Sequence, residues 1–90
     1  MAVHVQIFGY LSILLHQRQI KLDWHGGTLK EMITHMSDGH DRTVGEELLD
    51  ENGELDLAYV IFINGESAHD LSTRVGDGDE VVINSMLAGG

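Results

Sequence analysis

Val3, Val5 and Ile7 alternate with His4 and Gln6, the period-two pattern of a strand with one buried face. Ile20, Leu22 and Trp24 alternate in the same way with Gln19, Lys21 and Asp23, which predicts a second strand. The two are expected to pair as a hairpin with its loop around residues 10–18. The apolar stretch Leu11–Leu15 inside that loop is too short to assign. Gly26-Gly27 interrupts the second strand, and the period then changes. Leu29, Met32, Ile33 and Met36 fall at i, i+3, i+4 and i+7, one stripe of a helix. Thr28 and Glu31 form a capping-box pair at its start, each side chain placed to serve the other's backbone amide. The helix is expected to end near Ser37–Gly39. Residues 38–47 are polar and read as an inserted loop, with a helical turn over Val44–Leu49 and a tight turn at Asp50-Glu51-Asn52-Gly53.

Tyr59-Val60-Ile61-Phe62-Ile63 is apolar at every position and runs into Asn64-Gly65, a strong hairpin signal. A strand without polar alternation meets something on both faces. Tyr59, Ile61 and Ile63 are expected inside, with Val60 and Phe62 outward and available to a partner. Gly76-Asp77-Gly78-Asp79 turns the chain into a last strand, Glu80–Asn84. Four or five strands with one or two helices predict an α+β domain whose main helix packs on one face of a sheet. Residues 1–84 read as a single domain and residues 85–90 as a flexible tail.

Composition narrows what such a domain can do. Ninety residues allow one core and bury only about 60–65% of the unfolded surface, so a deep substrate pocket is not expected. Fifteen acidic against five basic side chains leave a formal charge of −10. That disfavours nucleic acid and anionic membranes and favours basic protein faces as partners. The absence of cysteine removes thiolate chemistry, disulfides and cysteine-type metal sites. No apolar run approaches the roughly 20 residues of a membrane span, and the start of the chain lacks signal-peptide character. A cytoplasmic domain is the expectation.

Local motifs for catalysis are missing. Gly76-Asp77-Gly78 has neither the third glycine nor the following helix of a dinucleotide loop, and Gly26-Gly27-Thr28-Leu29-Lys30 lacks the lysine–hydroxyl ending of a P-loop. Asp50-Glu51-Asn52-Gly53 brings its glycine too early for a calcium-binding hand. His35, Asp38, His40 and Asp41 are ligand-type residues without ligand spacing and read as a solvated loop, so no metal site is assigned. Ala88-Gly89-Gly90 is different. Glycines that close a sequence serve no turn or helix cap, but they present a slender carboxylate able to enter a narrow channel, since glycine has no Cβ.

The segments Gly27-Thr28-Leu29-Lys30-Glu31-Met32-Ile33, Leu48–Leu55, Val60–Glu66 and Val75–Ile83, in that order before Ala88-Gly89-Gly90, make the chain similar to the ubiquitin-like sulfur carriers, especially the small subunit of molybdopterin synthase. The resemblance spans essentially the whole chain. It implies the β-grasp fold, with a mixed four- to five-stranded sheet and one main helix. It also implies a non-catalytic carrier that binds no cofactor. An adenylyltransferase resembling the ubiquitin-activating enzyme would use ATP on the Gly90 carboxylate, and a sulfur donor would leave a thiocarboxylate there. The large subunit of molybdopterin synthase, or an analogous enzyme, would accept the sulfur. Gly89 and Ala88 would form the approach, Leu87 and Met86 the anchor, and Phe62 and Val60 the docking face. Members of this group usually carry proline before the Gly-Gly, where this chain has Ser85-Met86-Leu87. The same pattern serves protein modifiers, joined to lysines through the last glycine, and carriers for thiamine or tRNA thiolation.

Overall fold

The computed structural model describes residues 2–85. The first alternating run is strand β1 (Ala2–Phe8) and the second is β2 (Gln19–Asp23). They pair antiparallel, with Val5 opposite Ile20. Their connection holds more than the loop expected there. It carries a short helix, α1 (Tyr10–Leu15), whose Leu11 and Leu15 enter the core while Ile13 stays exposed. Four-residue spacing of the two inward leucines is what a single helical turn requires.

After β3 (Gly27–Thr28), helix α2 runs over Leu29–Gly39. Its expected capping box is complete. The Glu31 amide donates to Thr28 Oγ1 at 3.1 Å, and the Thr28 amide donates to Glu31 Oε1 at 2.8 Å. The amides of Leu29 and Lys30 donate to the carbonyls of Thr73 and Leu71, so the donors that every helix start leaves unserved are satisfied by a distant segment of the chain. Leu29, Met32, Ile33 and Met36 are all fully buried, as their spacing predicts. The turn expected over Val44–Leu49 is helix α3 (Thr43–Leu48), and its Val44 and Leu48 are buried. The polar insert therefore contributes to the core.

Strand β4 (Tyr59–Ile63) turns through Asn64 and Gly65 into β5 (Glu66–Ser67). Asn64 has φ 51° and Gly65 φ 86°. Both lie in the left-handed region that a two-residue hairpin turn of type I′ demands. After β6 (Arg74–Val75) the last strand, β7, covers Glu80–Ser85. Ser85, expected to begin the tail, is thus the buried end of that strand.

The main sheet has the order β2-β1-β7-β4-β5. β1 and β7 are parallel neighbours, while the other pairs are antiparallel. β3 and β6 form a separate two-stranded pair, and Trp24 Nε1 donates to the Val75 carbonyl at 3.0 Å beside it. Buried side chains from all three helices and the sheet make one apolar cluster. The architecture is the mixed, five-stranded α+β arrangement expected, with α1 and the β3–β6 pair added. No helix among the described residues is long and apolar enough to cross a membrane.

Candidate functional site

Strand β7 lies at the centre of the site because it carries the chain toward Gly90. It is paired on both sides, with β1 from His4–Glu80 to Phe8–Asn84 and with β4 from Ile63–Val81 to Tyr59–Ser85. Val81, Ile83 and Ser85 face the core, and Glu80, Val82 and Asn84 face the other way. The last described residue is therefore held in the middle of a sheet, not at a frayed edge. Gly9 packs so closely there that a Cβ on it would lie 3.0 Å from that of Ser85. Its φ of 77° also suits glycine best.

Pairing across the sheet assembles the outward side chains into rows. Gln6, Val82, Phe62 and Ser67 face one another across β1, β7, β4 and β5. Phe8, Asn84 and Val60 form the next row, nearer the end of β7. Val60 and Phe62 are half-buried while Tyr59, Ile61 and Ile63 are buried, the inside–outside division expected for this strand. The structure adds Val82 and Phe8 to the outward apolar group. Val82 sits within a continuous Val-Val-Ile run, and only its register opposite Phe62 reveals which way it faces. Met86, Leu87, Ala88, Gly89 and Gly90 lie outside the described residues.

Two polar brackets fix this sheet. Tyr59 Oη donates to Glu47 Oε1 at 2.7 Å, tying β4 to α3. Burial, then that carboxylate, pushes the phenol well above its ordinary pKa, so Tyr59 is a neutral structural donor. At the opposite end of β7, Asp79 Oδ2 accepts from the Gly76 amide at 2.8 Å and Oδ1 from Asn64 Nδ2 at 3.0 Å. The Glu80 amide donates to Asn64 Oδ1 at 2.9 Å. The Gly76 amide and the Asn64 side chain together hold the Asp79 carboxyl below its ordinary value. The folded protein thus binds that proton less readily than the unfolded chain, and the stabilisation is complete above the unfolded value and lost as pH falls through the folded one. Asp79→Asn is expected to lower the thermal midpoint at pH 7. The gap to the parent should begin to narrow as pH falls below about 4, the unfolded value, and close only below the folded one, as thermal melts across a pH series will show.

His35 and His40 lie on and just after α2, both exposed. The His35 ring stands 5.4 Å from that of Trp24, tilted by 39°. No group of three or more His, Cys, Asp or Glu able to hold a metal ion is present among the described residues.

No protein-family model matches the chain, and no curated protein matches it significantly. Solved structures do. SAMP1 from Haloferax volcanii aligns with a TM-score of 0.84 over 100% of both chains, at 22% identity. A chain of the Amycolatopsis orientalis BexX/CysO complex aligns at 0.77 with 25% identity, over 99% of this chain and 100% of that one. A putative molybdopterin converting factor subunit 1 from Pyrococcus furiosus aligns at 0.68 with 20% identity, over 94% and 97%. The resemblance drawn from the motifs agrees with these neighbours. The chain has the β-grasp fold of the ubiquitin-like sulfur carrier and modifier proteins.

Proposed function

We propose that the protein is a sulfur carrier whose Gly90 carboxylate is adenylated and then converted to a thiocarboxylate, in the synthesis of a molybdenum or tungsten pterin cofactor. The observation that carries this reading is a β-grasp fold whose central, doubly paired strand leads within five residues to Gly89-Gly90. A carboxylate is a poor electrophile. Attack of its oxygen on the α-phosphorus of ATP expels pyrophosphate and makes an acyl adenylate. A hydrosulfide-level nucleophile then attacks the acyl carbon, AMP departs, and the sulfur stays on the chain. The protein contributes position and a tether, and its partners contribute the reactive groups. Those partners are an adenylyltransferase of the ubiquitin-activating kind and a sulfur acceptor such as the large subunit of molybdopterin synthase. Val60 and Phe62 dock on them, Met86 and Leu87 anchor the tail, and Ala88 and Gly89 thread it. The likeness to a molybdopterin converting factor subunit supports the pathway, and the BexX/CysO complex supports pairing with an enzyme.

Incubation with ATP, the adenylyltransferase encoded in the same genome and a sulfide donor is expected to raise the mass of the intact protein by the difference between sulfur and oxygen. An unchanged mass, with the enzyme shown to be active, overturns the reading.

The likeness to SAMP1, a small archaeal modifier protein, favours a second outcome, in which Gly90 forms isopeptide bonds with lysines. A ladder of conjugates in cells, lost on removal of the terminal glycines, would select it.

The net charge of −10 predicts electrostatically steered docking in either case. Raising salt from about 0.05 to 0.5 M is expected to slow association with the adenylyltransferase on the order of tenfold, measured by stopped-flow, because steering decays with the Debye length.

A further inference from the structure

Four large apolar side chains are conspicuously exposed among the described residues: Phe8 at 46%, Tyr10 at 48%, Ile13 at 68% and Leu57 at 95%. Phe8, Tyr10 and Ile13 lie within six residues of one another, and the strand pairing brings the distant Leu57 to the same end of the molecule. Phe8 is opposite Asn84, and Tyr10 follows the glycine that packs on Ser85. Ile13 is on α1, which begins there. Leu57 is two residues before Tyr59, the partner of Ser85. This is the end at which β7 leads into residues 86–90. The apolar group is continuous with the open sheet face, because Phe8, Asn84 and Val60 share a row.

Scattered exposed apolar residues are ordinary, but a concentration of them at one place marks an interaction surface. Covalent geometry strengthens the point. Five residues span at most about 18 Å even when fully extended. Any enzyme acting on the Gly90 carboxylate must therefore bring its catalytic groups within that distance of Ser85. A recessed active site then cannot avoid the surface around the end of β7. Two acidic side chains are held at the start of β4: Glu47, which accepts from Tyr59 Oη, and Asp56, whose carboxylate accepts from the Ala58 amide at 2.8 Å. No lysine or arginine lies in Leu48–Ile63 or in Phe8–Gln17, and the one that adjoins these segments in sequence, Arg18, lines a shallow cavity with Ile13 on the β2 side.

We propose that Phe8, Tyr10, Ile13 and Leu57 form an apolar collar on which a carboxylate-adenylating enzyme docks, its channel mouth apolar and its rim basic. This deepens the reading above and rests on it. The adenylating enzyme is the occupant because carrier and modifier alike must activate the carboxylate before any later partner can use it. The collar sets capture, and the tail alone delivers the carboxylate, so the collar acts on KM and leaves the chemical step unchanged.

The test is ATP–pyrophosphate exchange with the adenylyltransferase encoded in the same genome, at varied concentrations of the full chain. Tyr10→Ser/Ile13→Ser/Leu57→Ser is expected to raise KM at least tenfold with kcat within twofold. Glu66→Gln, in β5 opposite Ile63 at the far end of β4, is expected to leave both unchanged. Leu57→Ser alone is the safeguard against a folding defect: its side chain is almost wholly exposed, and it is expected to raise KM about threefold with an unaltered thermal midpoint. A normal KM for the triple variant, with the parent chain adenylated, overturns the collar and leaves the carrier reading standing. Equal KM effects from Glu66→Gln also overturn it. Failure of the parent chain to be adenylated overturns the carrier reading and the collar with it.

Discussion

Deletion of Gly90 is expected to reduce adenylation by at least about a hundredfold while leaving the thermal midpoint unchanged. The shortened chain still ends in a glycine carboxylate, so the chemistry of the group is preserved. Its reach from Ser85 is shorter by one residue, about 3.5 Å. A displacement of the reacting atom by only about 1 Å can cost on the order of a hundredfold in rate, because the enzyme's groups are preorganised around a single position. Among the described residues the buried apolar side chains all lie between Val3 and Ile83. Mass spectrometry of the reaction with ATP and sulfide, together with pyrophosphate exchange, will read the loss. A deletion variant adenylated within about threefold of the parent would overturn the requirement for the exact reach of Gly90, and mass mapping of the adenylate would tell the new terminal carboxylate of Gly89 from a side-chain acceptor.

The second large effect falls on stability. Ile7, Ile83 and Ile61 form one row across β1, β7 and β4, each at most 1% exposed. Ile83 is thus enclosed by a neighbour on each side and by the helices above. Ile83→Ala removes buried methyl groups and leaves a cavity that paired strands cannot collapse to fill, a loss of about 3–4 kcal/mol. A domain of this size has only about 5–13 kcal/mol in total, so the thermal midpoint should fall by about 15–25 °C. Val82→Ala, one residue earlier but on the half-exposed face, should cost less than about 1 kcal/mol. Similar losses at the two positions would mean that Ile83 and Val82 do not point to opposite faces of the sheet. The contrast has a functional side as well. Ile83, which stabilises the strand, and Val82, on the open face, are adjacent in sequence and divided by the pleat, so the proposed docking face can be altered without unfolding the domain.

How much of this was legible before folding depends on the range of the interaction. Alternation in β1 and β2 showed which side chains go inward, and the stripe on α2 did the same, because a strand or helix that buries one face must repeat with its own period. The Asn64-Gly65 turn and the Thr28–Glu31 box were equally readable, since each is satisfied within a few residues. Helix α1 was not, because six residues with two inward leucines are too few to distinguish one period from another. The two-residue strands β3 and β6 have no period at all. Their pairing depends on a contact between Gly27 and Val75 that nothing local announces.

The chain's own sequence thus determined the α+β class and the inward faces of the long elements, and it singled out Gly89-Gly90. Local sterics, hydrophobic period and residue chemistry suffice for those. Only the tertiary structure decided that β7 runs parallel to β1 and is enclosed by β4. It also placed Val82 beside Phe62 and brought Phe8, Tyr10, Ile13 and Leu57 to the end of β7. A period tells a residue which way to face, but not what it will face. That is set by strand pairings between residues more than seventy positions apart, such as His4 and Glu80, where chain entropy is overcome by the whole core and not by any one segment.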